Sequence, residues 1–243
     1  MSLPGTPSDR VDGILANGDG DITTLFVSMA RRHPDGTDAE YLRWHTLDHR
    51  PEQHRLAAVR ASLRLVSTPA CRAARAASVE PYDEIDHVMT YFFSAPSGME
   101  GFLGLSRALG DAGRKLPLLP PVERGVYGVQ SRRAADRVKV GAHVLPWWPA
   151  TGVYVLLERG AEPTDHLLGV DGVAGAWTAQ TLDVDARLAN APTGQSLTYF
   201  FLDDDPVAVA DRLQPMLTQR TTEIRLAAPF HTIVPHEWDR YVP

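Results

Sequence analysis

Alternation of apolar and polar positions divides the chain into two similar series of elements. From Ile22 to Arg31, Leu25, Val27 and Met29 alternate with Thr24, Phe26 and Ser28, the period of two expected of a strand. Both faces are partly apolar, so both are expected to be covered. After the turn His33-Pro34-Asp35-Gly36, Thr37-Asp38-Ala39-Glu40 has the form of a capping box. That predicts a helix from Asp38 into the mid-fifties, with Thr37 and Glu40 satisfying its free amides. Pro51 lacks the amide hydrogen a helix interior needs, so a break or kink is expected near His49. Ala61 to Ser67 reads as a second strand, Cys71 to Tyr82 as a loop or hairpin, and Asp86 to Phe93 as a third strand. Gly98 to Leu109 carries Phe102, Leu105 and Leu109 at helical spacing, and Gly125 to Ser131 supplies a closing strand. Strand, helix, two strands, helix, strand is the order of a ferredoxin-like unit.

Beyond a connection from Arg132 to Ala150 the series begins again. Gly152 to Glu158, Ala174 to Leu182 and Ser196 to Leu202 read as strands, Pro206 to Leu217 as a helix and Thr222 to Thr232 as a last strand. Thr90-Tyr91-Phe92-Phe93 matches Thr198-Tyr199-Phe200-Phe201 without a gap, and in the same register Leu105 falls on Leu213 and Leu109 on Leu217. A diverged duplication follows. The expected fold class is α+β, two tandem ferredoxin-like repeats: a flexible arm over 1–20, repeat one over 21–131, a linker over 132–150, and repeat two with a C-terminal tail over 151–243. The repeats are unequal, because Thr37 to Ala58 holds a full helix whereas Thr164 to Gly172 allows about two turns.

Composition narrows the class of partner. The 243 residues are 44% hydrophobic and 22% charged, ordinary for a globular chain. The formal charge of −6 gives no general attraction for nucleic acid, and the basic cluster Arg132, Arg133, Arg137 and Lys139 is interrupted by Asp136. Cys71 is the only cysteine, which excludes an intrachain disulfide and a cysteine-rich metal site and makes a reducing, cytoplasmic setting the expectation. No window has the length of a membrane span. Glycine-rich phosphate loops and nucleophile elbows are absent.

The candidate chemistry lies on the longer helix, where His45, Asp48, His49 and Glu52 fall at i, i+3, i+4 and i+7 and share one face. The segment Tyr41-x-x-Trp44-His45-x-x-x-His49-x-Pro51 resembles the first-helix pattern of EthD-like proteins of the dimeric α+β barrel superfamily, aromatic-x-x-aromatic-Trp-x-x-x-His-x-Pro. It departs from that pattern at His45, and the likeness covers about a dozen residues. The resemblance implies that the repeats pack sheet against sheet as a pseudo-dimeric barrel within one chain. It implies relatives that include cyclases, isomerases, monooxygenases and haem-handling enzymes, and it singles out His49 as a functional position.

His49 has a side chain suited to acid/base work near neutrality, and equally to capping the helix end or pairing with a carboxylate. His45 with His49 has i, i+4 metal-ligand spacing but no evident third ligand, so no metal and no cofactor are expected. On the third strand His87, Met89, Tyr91 and Phe93 point one way, with Tyr199 at the matching position of the second repeat. If that face lines the barrel interior, His87 and Tyr91 stand in an apolar pocket. The catalytic candidates are therefore His49, His87 and Tyr91, and the substrate-binding candidates Trp44, His45, Phe93 and Tyr199. Trp147 and Trp148, between prolines, form either a lid or linker packing, and His231 and His236 lie in a tail expected to fold back. The expected partner is a small hydrophobic molecule, with a homodimer compatible and neither nucleic acid nor membrane implied. The leading reading is cofactor-independent proton transfer, such as cyclisation, isomerisation or dehydration, on an oxygenated, aromatic or polyketide-like substrate. The alternatives are a non-catalytic binder and a monooxygenase, haem-dependent or cofactor-free.

Overall fold

The computed structural model describes residues 21–241, so the arm expected over 1–20 lies outside the described residues. Strands β1 (Thr24–Ala30), β2 (Val59–Val66), β3 (Ala77–Ser78), β4 (His87–Phe93) and β5 (Pro121–Ala134) form the first half, and β6 (Gly152–Arg159), β7 (Val173–Thr181), β8 (Gln195–Leu202) and β9 (Glu223–Thr232) the second. The sheet order is β2-β4-β1-β5-β7-β8-β6-β9, and β9 pairs back onto β2, so eight antiparallel strands close into a barrel. Within each half the strands lie in the order second, third, first, fourth, the ferredoxin-like arrangement. The fourth strand of each half pairs with the second strand of the other through β5–β7 and β2–β9. The short β3 adds to β9 at Ala227 and Leu226.

Side chains fill the barrel. Leu25, Val27 and Met29 from β1 meet Phe92, Tyr127, Val155, Trp177, Tyr199 and Phe230 in one continuous buried cluster. Thr90 and Tyr199 share a 2.6 Å hydrogen bond across this core. At one end Tyr82 donates to Glu123 at 2.6 Å, while Tyr127 and Gln195 donate to its other oxygen, so a buried carboxylate is fully satisfied. Among the described residues the interior is thus a packed core, as in narrow barrels generally.

Helices cover the outer faces. In the first half these are α1 (Asp38–Trp44), a π-helical turn (His45–His49), α2 (Arg50–Gln53) and α4 (Gly98–Asp111), with the short α3 (Pro69–Ala73) at the β2–β3 connection. Gly98 seats α4 close to the sheet: a Cβ there would lie 2.5 Å from Ala58 Cβ. The second half has α5 (Pro206–Leu217) and only a five-residue 3₁₀ turn, Asp165–Gly169.

Three expectations change. The capping box does not form, since Thr37 makes no side-chain cap; Asp38 instead accepts the His33 amide at 3.2 Å and a 2.6 Å bond from His87 Nε2. Pro51 does not end the helix, which continues to Gln53; the irregularity expected near His49 takes the form of a π turn, His45–His49, in which the Arg50 amide donates to His45 O, five residues back. The linker expected to start at residue 132 is strand as far as Ala134, with Arg132 opposite Trp177.

Candidate functional site

A cavity of about 260 Å³ lies outside the barrel, between the first-half sheet and its helices. Phe26, Ser28, Met89, Tyr91 and Arg64 come from the sheet, Tyr41, His45 and His49 from the first helix, and Phe102, Leu103, Ser106 and Leu119 from α4 and the segment after it. The sheet face is set by register: Tyr91 stands opposite Phe26 on β1 and Ser62 on β2, and Arg64 opposite Met89. The expectation that Tyr91 faces the barrel interior is corrected. Val88 and Phe92 point inward, while Met89, Tyr91 and Phe93 belong to the helix-side cluster.

The helix is anchored at its start and shaped in its middle. His87 and Asp38, 1% and 2% exposed, form a buried pair that ties the first helical residue to β4. Burial lowers the His87 pKa, only partly offset by the bond to Asp38, so a neutral imidazole donates to the carboxylate. The π turn then presents His45 and His49 side by side, ring centroids 5.7 Å apart. Tyr41 stacks on His45 at 5.9 Å and Trp44 on His49 at 5.0 Å. Trp44 is itself fixed by donating Nε1–H to Arg114 O.

The electrostatics follow from this enclosure. Burial pushes the His45 pKa well below its ordinary 6.5, with the charge of Arg64 adding to the effect. Burial likewise lowers His49 to about 4, helped by Lys115 and Arg114 and opposed by Asp48. Both imidazoles are thus neutral at pH 7. His45 Nε2 lies 3.3 Å from the Tyr91 hydroxyl, and Gln53 Nε2 lies 3.4 Å from His49 Nε2. The Nδ1 atoms of both rings are buried without a hydrogen-bond partner among the described residues. Burial also raises the Tyr91 pKa, so its hydroxyl stays protonated. Arg64, 5% exposed, has its guanidinium 5.2 Å over the Tyr41 ring; burial lowers its pKa against the opposing influence of Tyr41, Tyr91 and Asp38, and its Nε and Nη2 have no hydrogen-bond partner among the described residues.

The cavity thus brings together His45, His49 and Tyr91 of the sequence-derived candidates. Trp44 does not line the cavity and stacks behind His49. His87 is committed to Asp38, Phe93 packs against Phe102 beneath the lining, and Tyr199 points into the barrel core on the far side of the sheet. Asp48 and Glu52 turn outward to Arg114 at 3.1 and 3.2 Å. Trp147 donates to Arg60 O, Trp148 packs on the barrel core and His231 stacks on Tyr241; none of the three lines the cavity. Arg64 and Tyr41 were missed. The available signal was an arginine in the middle of β2, on a face that helices must cover, where a charge is rare.

No group of three or more metal-ligating side chains occurs among the described residues. A haem, which the monooxygenase alternative admits, does not fit this lining. A tetrapyrrole is larger than the cavity, and each histidine turns its Nε2 to a protein partner. No protein-family model and no curated protein matches the sequence. Solved structures do match it. A protein provisionally assigned as a chlorite dismutase shares 10% identity over 91% of this chain and 99% of its own, at TM-score 0.54. Chlorite dismutase from Candidatus Nitrospira defluvii shares 11% over 97% and 100%, at 0.50. An anthrone oxidase-like protein shares 9% over 88% and 92%, at 0.45. At these identities the first two establish the fold, a dimeric α+β barrel in one chain. Among the described residues no helix is long and apolar enough to cross a membrane.

Proposed function

We propose that the chain is a cofactor-independent monooxygenase that takes a proton from a small oxygenated aromatic and lets the resulting carbanion react with molecular oxygen. One observation carries the reading: His49 is neutral at pH 7 and stands in an apolar pocket beside the His45–Tyr91 pair. A neutral imidazole has a free lone pair to accept a proton, though burial makes His49 a weaker base than a histidine in water. The Tyr91 hydroxyl, still protonated, donates to the oxygen on which the carbanion's charge is delocalised. Phe26, Met89, Phe102 and Leu119 hold the ring and keep water out. In the overall reaction a CH₂ group flanked by aromatic rings and O₂ give a carbonyl and water, so no external reductant is needed. The fold, shared with proteins named as chlorite dismutases, is compatible with this reading but does not select a chemistry.

The test is oxygen uptake with a panel of anthrones and quinols, with heavy-isotope O₂ to trace the inserted atom. The expected result is one labelled oxygen in the product and a loss of about 100-fold or more in turnover for His49→Gln. Turnover of the panel unaffected by His49→Gln, or no incorporation of the label, would overturn the reading. A second reading has its own support: the lining offers acid–base groups and no thiol, so the same set serves cyclisation or isomerisation. Turnover that continues without oxygen identifies that case.

A further inference from the structure

We infer that this pocket takes its ligand as an anion, a small aromatic carboxylate whose acidic group sits on Arg64. The inference deepens the proposed function by naming a substrate class, and it rests on that reading for the location of the site alone. The lining contains four cationic side chains, Arg64, Arg107, Lys115 and Arg124, and no carboxylate, in a chain whose formal charge is −6. None of the four makes an ion pair among the described residues; Lys115 donates only to Ser106 at 3.3 Å.

Arg64 differs from the other three. It is 5% exposed on the inner wall, whereas Arg107 and Lys115 are exposed and Arg124 is half-buried. Removing a charge from water without a counter-ion is costly, and a guanidinium cannot escape by losing its proton at working pH. Within the fold Arg64 interacts with the Tyr41 side chain and, at longer range, with the Asp38 carboxylate, but Asp38 is already bonded to His87 and to the His33 amide and makes no ion pair with the guanidinium. The two unpartnered nitrogens, Nε and Nη2, form one edge of the guanidinium, the pair of parallel donors that matches the two oxygens of a carboxylate. Both nitrogens are closed off as the side chain stands, so the guanidinium has to turn that edge toward the ligand on binding. The walls beyond it, Phe26, Met89, Phe102 and Leu119, suit a flat apolar ring. The exposed cations at the mouth draw the anion inward, an attraction that salt weakens.

The test is equilibrium binding of naphthoate and of its neutral isostere naphthamide by titration calorimetry, which needs no turnover. Wild-type protein is expected to bind naphthoate about 10-fold to 100-fold more tightly than naphthamide, the range of a hydrogen bond to a charged group. Arg64→Gln should abolish the preference and leave naphthamide binding intact, which also shows that the variant folds. His49→Gln should keep the preference even where turnover is lost, so failure of the chemistry and failure of the anion seat read out separately. If Arg64→Gln does not fold, Arg124→Gln and a salt series on wild type replace it, with the preference expected to shrink in both. Equal affinity for the two probes, no binding of either, or a preference that survives both Arg64→Gln and high salt would overturn the inference.

Discussion

The two halves of the barrel share a strand order but treat the space between sheet and helices in opposite ways. In the second half that space is filled: Tyr154, Leu167, Val173, Phe200, Val209, Leu213 and Leu217 form one buried cluster under α5 and the five-residue 3₁₀ turn. In the first half the helix from Asp38 to Gln53 stands over a cavity. Register makes the contrast residue by residue. Tyr91 pairs with Ser62 where Phe200 pairs with Ala176, and Arg64 pairs with Met89 where Thr178 pairs with Thr198. The second half thus closes the same space with mostly apolar side chains, whereas the first half turns two histidines, a tyrosine and an arginine toward it.

The largest stability difference should appear on truncation. Leu213→Ala removes a fully buried side chain from the filled half and is expected to cost about 2–5 kcal/mol in urea unfolding. Leu103→Ala, at the cavity wall, should cost well under half as much, since it enlarges a space that already exists. Equal costs would mean that the cavity is filled in solution.

Next comes acid sensitivity. The folded-state pKa of His49 is about 4 against an ordinary 6.5, so the unfolded chain binds the extra proton between those values. Stability is then full above about pH 6.5 and falls as pH drops toward 4, by up to about 3 kcal/mol for this group. His49→Gln should flatten that slope in urea midpoints measured across the window. An unchanged slope would assign the acid sensitivity to His45 and His87, whose pKa values burial also lowers.

The smallest effect separates the two tyrosines. Tyr199→Phe loses the buried bond to Thr90 and should cost about 1 kcal/mol of stability with turnover intact. Tyr91→Phe should lower turnover about 10-fold with little change in stability. The reverse assignment would put the working face inside the barrel.

That reversal is also where the sequence misled. Every residue of β4 is buried, so the strand carries apolar side chains on both faces and alternation cannot say which face is inward. Tyr91 and Tyr199 sit in identical Thr-Tyr-Phe-Phe runs, yet Tyr91 faces the helices and Tyr199 the barrel core. A one-residue slip in a strand flips its side chains; the helices keep the match, with Leu109 and Leu217 both buried. Strand order, the long first helix and its histidines were legible because period, proline and spacing are local signals. The filled barrel, the Asp38–His87 anchor and the buried Arg64 were not, because each depends on partners more than twenty residues away.

The central claim is that the first helix and sheet enclose neutral imidazoles in a ligand pocket, and a side-chain NMR titration of His45 and His49 tests it most directly. The account predicts that His49 titrates near 4, that His45 stays neutral well below 6.5, and that both signals move when naphthoate is added. Midpoints near 6.5 for both rings, with no response to naphthoate, would contradict it.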